Sequence, residues 1–78
     1  MTIDQIKKVH SAQPFQPFRI HLADGRSFAV EHPEFLAQSQ GGRVLYVSTP
    51  DDTFEIVDLL LVTSLELLNG SSSKRKRK

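Results

Sequence analysis

Three histidines are the side chains of this sequence best suited to hold a metal ion, and they recur at equal intervals as His10, His21 and His32. A metal site needs at least three ligands that converge on one point. The surrounding patterns place His10 on a helix, His21 on the solvent face of a strand and His32 at a strand end. No ligand-spacing motif connects them. We therefore interpret all three as surface histidines and expect neither a metal nor a cofactor.

Side chains that could act in covalent or acid–base catalysis are present, but their sequence surroundings do not support such chemistry. A nucleophile needs a base beside it, and a pair of catalytic carboxylates needs a pocket. No nucleophile-elbow motif surrounds Ser39, Ser48 or Ser64, and Asp51–Asp52 is typical of a turn. The Gln40–Arg43 segment has two glycines but lacks the lysine of a phosphate-binding loop. The sequence predicts a protein that is not an enzyme.

The most polar feature is the basic run that ends the chain: Lys74, Arg75, Lys76, Arg77 and Lys78. Residues 1–73 contain five Lys or Arg and nine Asp or Glu, so this part carries −4 and the run carries +5. Because counterion release drives such segments onto polyanions, we predict that the run binds RNA or DNA without sequence preference. The alternatives are a clamp on an acidic protein, which could be a neighbouring copy, a membrane-surface anchor, and a merely solubilising end. No apolar anchor adjoins the run, so we expect no membrane partner.

The length and the lack of cysteine restrict the class of protein. A chain of 78 residues holds at most one domain, near the lower size limit for burying a core. We expect a single domain over residues 1–70 and a disordered tail over residues 71–78. Secreted domains of this size usually need disulfides, so a cytoplasmic location is expected. Self-association would be an additional source of stability.

The N-terminal segment predicts a short helix that ends before Pro14. Thr2 and Gln5 fit a capping box, in which the two side chains satisfy free backbone donors of the first turn. One helical face is apolar and consists of Ile3, Ile6 and Val9. Residues 13–18 repeat Gln-Pro-Phe, and we interpret them as an extended connector that directs two phenylalanines toward the body.

An apolar–polar alternation that starts at Phe18 predicts a hairpin around an Asp-Gly turn. A two-residue loop would put the aromatic side chains on opposite faces of this hairpin. A three-residue loop at Ala23–Gly25, with its glycine in the left-handed region, puts all the large apolar side chains on one face. We therefore predict that Phe18 lies opposite Val30 and that Ile20 lies opposite Phe28.

The second hairpin is predicted to have a four-residue type I turn, Thr49–Asp52. This register places Leu45 opposite Ile56, and Val47 opposite Phe54, on the inner face. The outward strand surface would then be mixed in charge and would contain Arg19, His21, Ser27, Glu31, Tyr46 and Glu55. We interpret it as an ordinary solvated face, because a base-stacking platform would carry several aromatic residues.

The remaining elements are a helical turn over residues 33–37, a corner over 58–60 and a last strand over 61–67. The fold class is therefore mainly β (α+β): a short N-terminal helix and about five antiparallel strands in a small SH3-like or Sm-like barrel, or in a strongly bent sheet. Element order alone gives the Sm-like comparison. We expect edge strands and the Leu59–Val62 corner to join copies into a homo-oligomer.

Three stretches give the chain a resemblance to other proteins: Pro14–Arg26, which contains Pro-Phe and Leu-x-Asp-Gly-Arg, His32–Phe35 (His-Pro-Glu-Phe), and Asp58–Val62. Over roughly residues 14–68 the sequence resembles a group of short uncharacterised bacterial proteins. The resemblance implies a bacterial cytoplasmic protein and assigns no catalytic or binding residue. The sequence as a whole predicts a non-catalytic binding module for nucleic acid, RNA or DNA, through the basic tail and an oligomeric barrel. The alternative is a protein-interaction module or small regulator in which the tail is incidental.

Overall fold

The computed structural model describes residues 1–68. It contains one helix, α1 (Ile3–His10), and six strands: β1 (Phe18–Leu22), β2 (Ser27–Val30), β3 (Leu36–Gln38), β4 (Val44–Ser48), β5 (Phe54–Asp58) and β6 (Val62–Leu67). Two short 3₁₀ turns, Pro33–Phe35 and Leu59–Leu61, precede β3 and β6. The predicted mainly β class with a short N-terminal helix is confirmed.

The capping box and the apolar face of α1 are confirmed. The Thr2 hydroxyl accepts a hydrogen bond from the Gln5 backbone N–H at 3.3 Å, and the Thr2 backbone N–H donates to Gln5 Oε1 at 3.0 Å. Ile6 is fully buried, and its neighbours on the same face pack against the core. An eight-residue helix is marginal in isolation, so this apolar face holds α1 on the sheets.

The first hairpin has the predicted register. Phe18 lies opposite Val30 and Ile20 lies opposite Phe28. The loop is closed by hydrogen bonds at both of its ends, and Gly25 adopts a φ of +93°. A residue with a side chain would be strained at that φ, which explains the glycine at this position.

The predicted register of the second hairpin is wrong by one residue. Leu45 lies opposite Val57, and Tyr46 lies opposite Ile56. The connection contains five residues: the Thr49 N–H donates to the Thr53 carbonyl at 2.9 Å. Because side chains alternate between the two faces of a strand, this shift of one residue exchanges the faces of β5.

The strands form two three-stranded antiparallel sheets. Sheet A has the order β2-β1-β6 and sheet B the order β3-β4-β5. Each hairpin continues through a 3₁₀ turn into a strand that pairs with the first strand of the other hairpin, so the two halves repeat at an interval of 26 residues (Phe18 to Val44, Pro33 to Leu59). The predicted helical turn at 33–37 is therefore shorter, and Leu36 begins an additional strand.

Both sheets and α1 contribute to one hydrophobic core. Its buried members are Ile6, Phe18, Ile20, Leu22, Val30, Leu36, Leu45, Val47, Val57, Leu59 and Val62. Phe15 lies against Phe18 with ring centroids 6.0 Å apart, so the Gln-Pro-Phe connector directs both phenylalanines toward the body as predicted. The side chains that could bind a partner therefore lie on the outer faces and edges of the sheets.

Candidate binding surface

The outer face of sheet A is polar and internally paired. Arg19 and His21 alternate with buried residues of β1 and therefore point outward. The Arg19 guanidinium donates to the Ser27 hydroxyl at 3.4 Å, and His21 Nε2 lies 2.9 Å from Glu66 Oε1. This part of the surface matches the solvated face that the sequence predicts.

The structure does not bring the three histidines together. His10 Nε2 lies 2.7 Å from the Pro33 carbonyl oxygen, His21 contacts Glu66, and His32 packs edge-on against Phe35. Within residues 1–68, no group of three or more His, Cys, Asp or Glu side chains could hold a metal ion. Each histidine instead has its own local partner.

Glu55 does not share a face with Tyr46, which corrects the sequence-based expectation. Glu55 lies opposite Val47 on the inner side of sheet B, and its carboxylate lies 3.4 Å from Arg26 Nη1 at the turn of the first hairpin. Asp24 binds the same arginine at 2.9 Å and accepts the Arg26 backbone N–H at 3.0 Å. That backbone hydrogen bond, with the nearby guanidinium, lowers the pKa of Asp24 below its ordinary value of 3.8.

The centre of the outer face of sheet B is apolar, in contrast to the outer face of sheet A, and Ser48 and Asp58 lie at its two ends. A row of side chains crosses all three strands from Ala37 through Tyr46 to Ile56, and Phe54 lies on the same face of β5. Phe54 is 73% exposed, Ile56 70% and Tyr46 39%. We call these four residues the sheet B patch. Exposed apolar patches of this kind mark interaction sites.

The two most exposed members of the sheet B patch lie on an edge strand. In an antiparallel ladder, residue pairs alternate between hydrogen-bonded and non-hydrogen-bonded pairs. The Thr49–Thr53 bond and the bond from the Leu59 N–H to the Arg43 carbonyl lie at the two ends of this ladder and fix the alternation. Phe54 and Ile56 fall at non-hydrogen-bonded positions, so their backbone N–H and C=O groups point away from β4, toward the open edge.

Two shallow clefts lie elsewhere on the described surface. One, of about 240 Å³, lies between β2 and the turn after β4, where Arg19 and Glu31 are among its lining residues. The other, of about 410 Å³, lies beside the second 3₁₀ turn, where Leu60 is 85% exposed. Serine hydroxyls and the Glu31 carboxylate both line the first cleft, but no hydrogen bond joins a serine there to Glu31 among the described residues. The sheet B patch is therefore the better candidate for function.

This surface differs from the sequence-based expectation, because the predicted register places Phe54 and Ile56 in the core. In residues 54–59, apolar side chains occur on both faces of the strand pattern. Phe54 and Ile56 belong to one face, and Val57 and Leu59 belong to the other. Val57 and Leu59 are the buried pair. The sequence signal for the correct register is that the alternation of Val57 and Leu59 continues into the corner after β5. At that corner the Asp58 carboxylate accepts a hydrogen bond from the Leu60 N–H at 2.9 Å.

The predicted nucleic-acid-binding residues, Lys74, Arg75, Lys76, Arg77 and Lys78, lie outside the described residues. No helix within residues 1–68 has the length and apolar character needed to cross a membrane. No protein-family model, curated protein or solved structure matches the chain. Function is therefore argued from the surface itself.

Proposed function

We propose that this chain is a non-catalytic binding module that accepts an extended protein segment along the open edge of β5. The observation that carries the proposal is the coincidence, at Phe54 and Ile56, of unpaired backbone groups with exposed apolar side chains. An incoming strand would gain main-chain hydrogen bonds from the edge and side-chain contacts from the sheet B patch. This is the physical basis of β-strand addition.

Natural edge strands are usually protected against such pairing by lysine, proline, a bulge or short length. The Phe54–Asp58 strand has five residues and contains neither lysine nor proline, and its inward-pointing charge, Glu55, is paired with Arg26 at 3.4 Å. The partner that fits is a segment with apolar side chains at alternate positions, because only one face of the added strand would meet Phe54, Ile56 and Tyr46.

A synthetic peptide of alternating Thr and Val tests this proposal. We expect the peptide to slow hydrogen exchange at the Phe54 and Ile56 amides, measured by NMR, and to leave Glu55 and Val57 unchanged, because these two already pair with β4. The control is the same peptide with N-methyl groups on the N–H groups that would face β5. Equal protection by both peptides, or protection confined to other strands, would contradict strand addition.

A second candidate function is nucleic-acid binding by the basic tail, Lys74–Lys78. The body carries −4 and would itself repel a polyanion, whereas the tail carries +5. This separation of charge favours binding through the tail. Five charges correspond to a salt slope of about −4.5 on duplex DNA. Fluorescence anisotropy with labelled oligonucleotides at two salt concentrations tests this, with a chain that ends at Asn69 as the control. Binding that survives the truncation would contradict a tail-only site.

We further propose that the two sheets act together as a small SH3-like or Sm-like barrel. Two features support this: sheets A and B share one hydrophobic core, and the chain passes between them at both 3₁₀ turns. Such a barrel would be partly open at the edge of β5, which leaves that edge available to a partner strand.

A further inference from the structure

We infer that the segment that pairs with β5 is β5 of a second copy of this chain, antiparallel and related by a twofold axis near Ile56. This inference rests on the proposed function, since it names the strand that occupies the open edge. The other edge strands are less suitable. β3 has only three residues. β2 lines a cleft whose other side is the turn after β4, so that turn lies beside it. The outer face of β6 is polar.

The backbone of β5 restricts how two copies can pair. Only Phe54, Ile56 and Asp58 direct their N–H and C=O groups toward the open edge, so hydrogen-bonded pairs must join members of this set. If Ile56 faces Ile56 of the second copy, then Phe54 faces Asp58. In this arrangement Glu55 faces Val57, and no two carboxylates oppose each other.

The alternative register centred on Glu55 would place two like charges directly opposite each other, which destabilises a strand pair. The register centred on Ile56 avoids this and places the two isoleucines side by side. Edge and patch are therefore self-complementary in this register, which is the property that an isologous twofold interface requires.

Charge also favours a second copy over an unrelated acidic segment. The described body is acidic: β5 contains Glu55 and Asp58, and Asp51 and Asp52 precede it. A second copy supplies the complementary charge, because each chain carries Lys74–Lys78 and the whole chain is only +1. Two complete chains therefore repel each other far less than two bodies of −4 would.

The size of the sheet B patch sets the expected strength of the dimer. Its four residues supply less than the roughly 800 Å² per partner of a standard protein interface. Backbone pairing along five residues adds directional bonds but little apolar area. We therefore expect a reversible, concentration-dependent dimer rather than a permanent one.

A single cysteine introduced into this cysteine-free chain tests the pairing directly. In a hydrogen-bonded antiparallel pair the Cα atoms are about 5.5 Å apart, within the range that a disulfide spans. We expect Ile56→Cys in the full chain to form a disulfide-linked dimer under mild oxidation. Leu67→Cys on β6, at a 56% exposed apolar position, is the matched control and should remain monomeric. Equal cross-linking of the two variants would overturn the inference.

Sedimentation of the chain without cysteine provides the second measurement. We expect a concentration-dependent dimer whose dissociation constant rises at least about tenfold in Ile56→Lys, because a lysine on an edge strand opposes pairing. Unchanged circular dichroism would show that the variant is folded. A chain that stays monomeric at every concentration, yet still binds the Thr-Val peptide, would overturn the second-copy inference and leave the proposed function intact. If the chain neither dimerises nor binds the Thr-Val peptide, both the second-copy inference and the proposed function are contradicted.

Discussion

The reversed faces of β5 can be tested with two neighbouring substitutions, Val57→Ala and Ile56→Ala. Val57 is 1% exposed and Ile56 is 70% exposed. Removing two buried methylene equivalents from Val57 costs about 1.6 kcal/mol of transfer free energy, and the cavity raises the total to about 2 kcal/mol. Truncation to alanine at Ile56 removes one carbon more, but mostly from solvated surface, and should cost about 0.5 kcal/mol or less.

The assay is urea denaturation followed by circular dichroism, at low protein concentration so that association does not contribute. In thermal denaturation of the same samples, the Val57→Ala variant should melt roughly 8–16 °C below the parent chain, as expected for a domain of this size. The register with Leu45 opposite Ile56 would give the reverse order, with Ile56→Ala the more damaging change. A larger loss of unfolding free energy at Ile56 than at Val57 would therefore refute the register in which Leu45 lies opposite Val57.

Three further predictions concern the turn of the first hairpin and the start of α1. Gly25→Ala should cost about 1 kcal/mol of unfolding free energy, because φ is +93° although no atom lies within 4 Å of the added Cβ; Gly25→Asn should cost less, and equal stability of all three chains in urea would contradict this. Because the pKa of Asp24 is lowered in the folded state, the ionised carboxylate stabilises the fold at pH values above its ordinary pKa of 3.8. This contribution is lost as the pH falls through the folded-state pKa. Acid titration of Asp24→Asn should therefore show a weaker pH dependence in that range, and an unchanged profile would argue against the Arg26 interaction. Thr2→Ala should cost about 1 kcal/mol by removing the capping box with Gln5, and measurable loss of helical circular dichroism is the check.

The two hairpins show where local sequence determines structure and where it does not. In the first hairpin the large apolar residues share one parity, so only one loop length puts them on one face. In the second hairpin Phe54 and Ile56 compete with Val57 and Leu59, and a period-two pattern cannot choose between these pairs. Packing against the other sheet decides in favour of Val57 and Leu59. The candidate site was therefore missed for the same reason that the register was wrong.

Strand β3 was missed for a different reason. His32-Pro33-Glu34-Phe35 has the proline and acidic residue that favour a helical turn, and the structure does contain a 3₁₀ turn there. The next three residues pair with β4 only because the chain has already crossed to sheet B. A strand this short depends on its partner, so its own residues give little indication of it.

One substitution, Ile56→Lys, tests the two proposed functions together. Its effect on oligonucleotide affinity should be an increase if charge alone matters and a decrease if β5 joins two copies. Ile56→Lys adds a positive charge to an acidic body, so simple electrostatics predicts tighter binding of an oligonucleotide. If β5 joins two copies, the same substitution separates two basic tails that act together. Linked sites gain affinity through effective concentration, so the loss should be at least about tenfold.

Leu67→Lys is the matched control, because it adds the same charge at an exposed apolar position on β6. We expect Ile56→Lys to weaken oligonucleotide binding and Leu67→Lys to preserve it, as measured by anisotropy at constant salt concentration. Binding that strengthens equally in both variants would mean that each chain acts alone and that charge alone sets the affinity. A loss specific to Ile56→Lys would support action of the β5 edge and the basic tail in one assembly, since the two substitutions add the same charge at exposed positions.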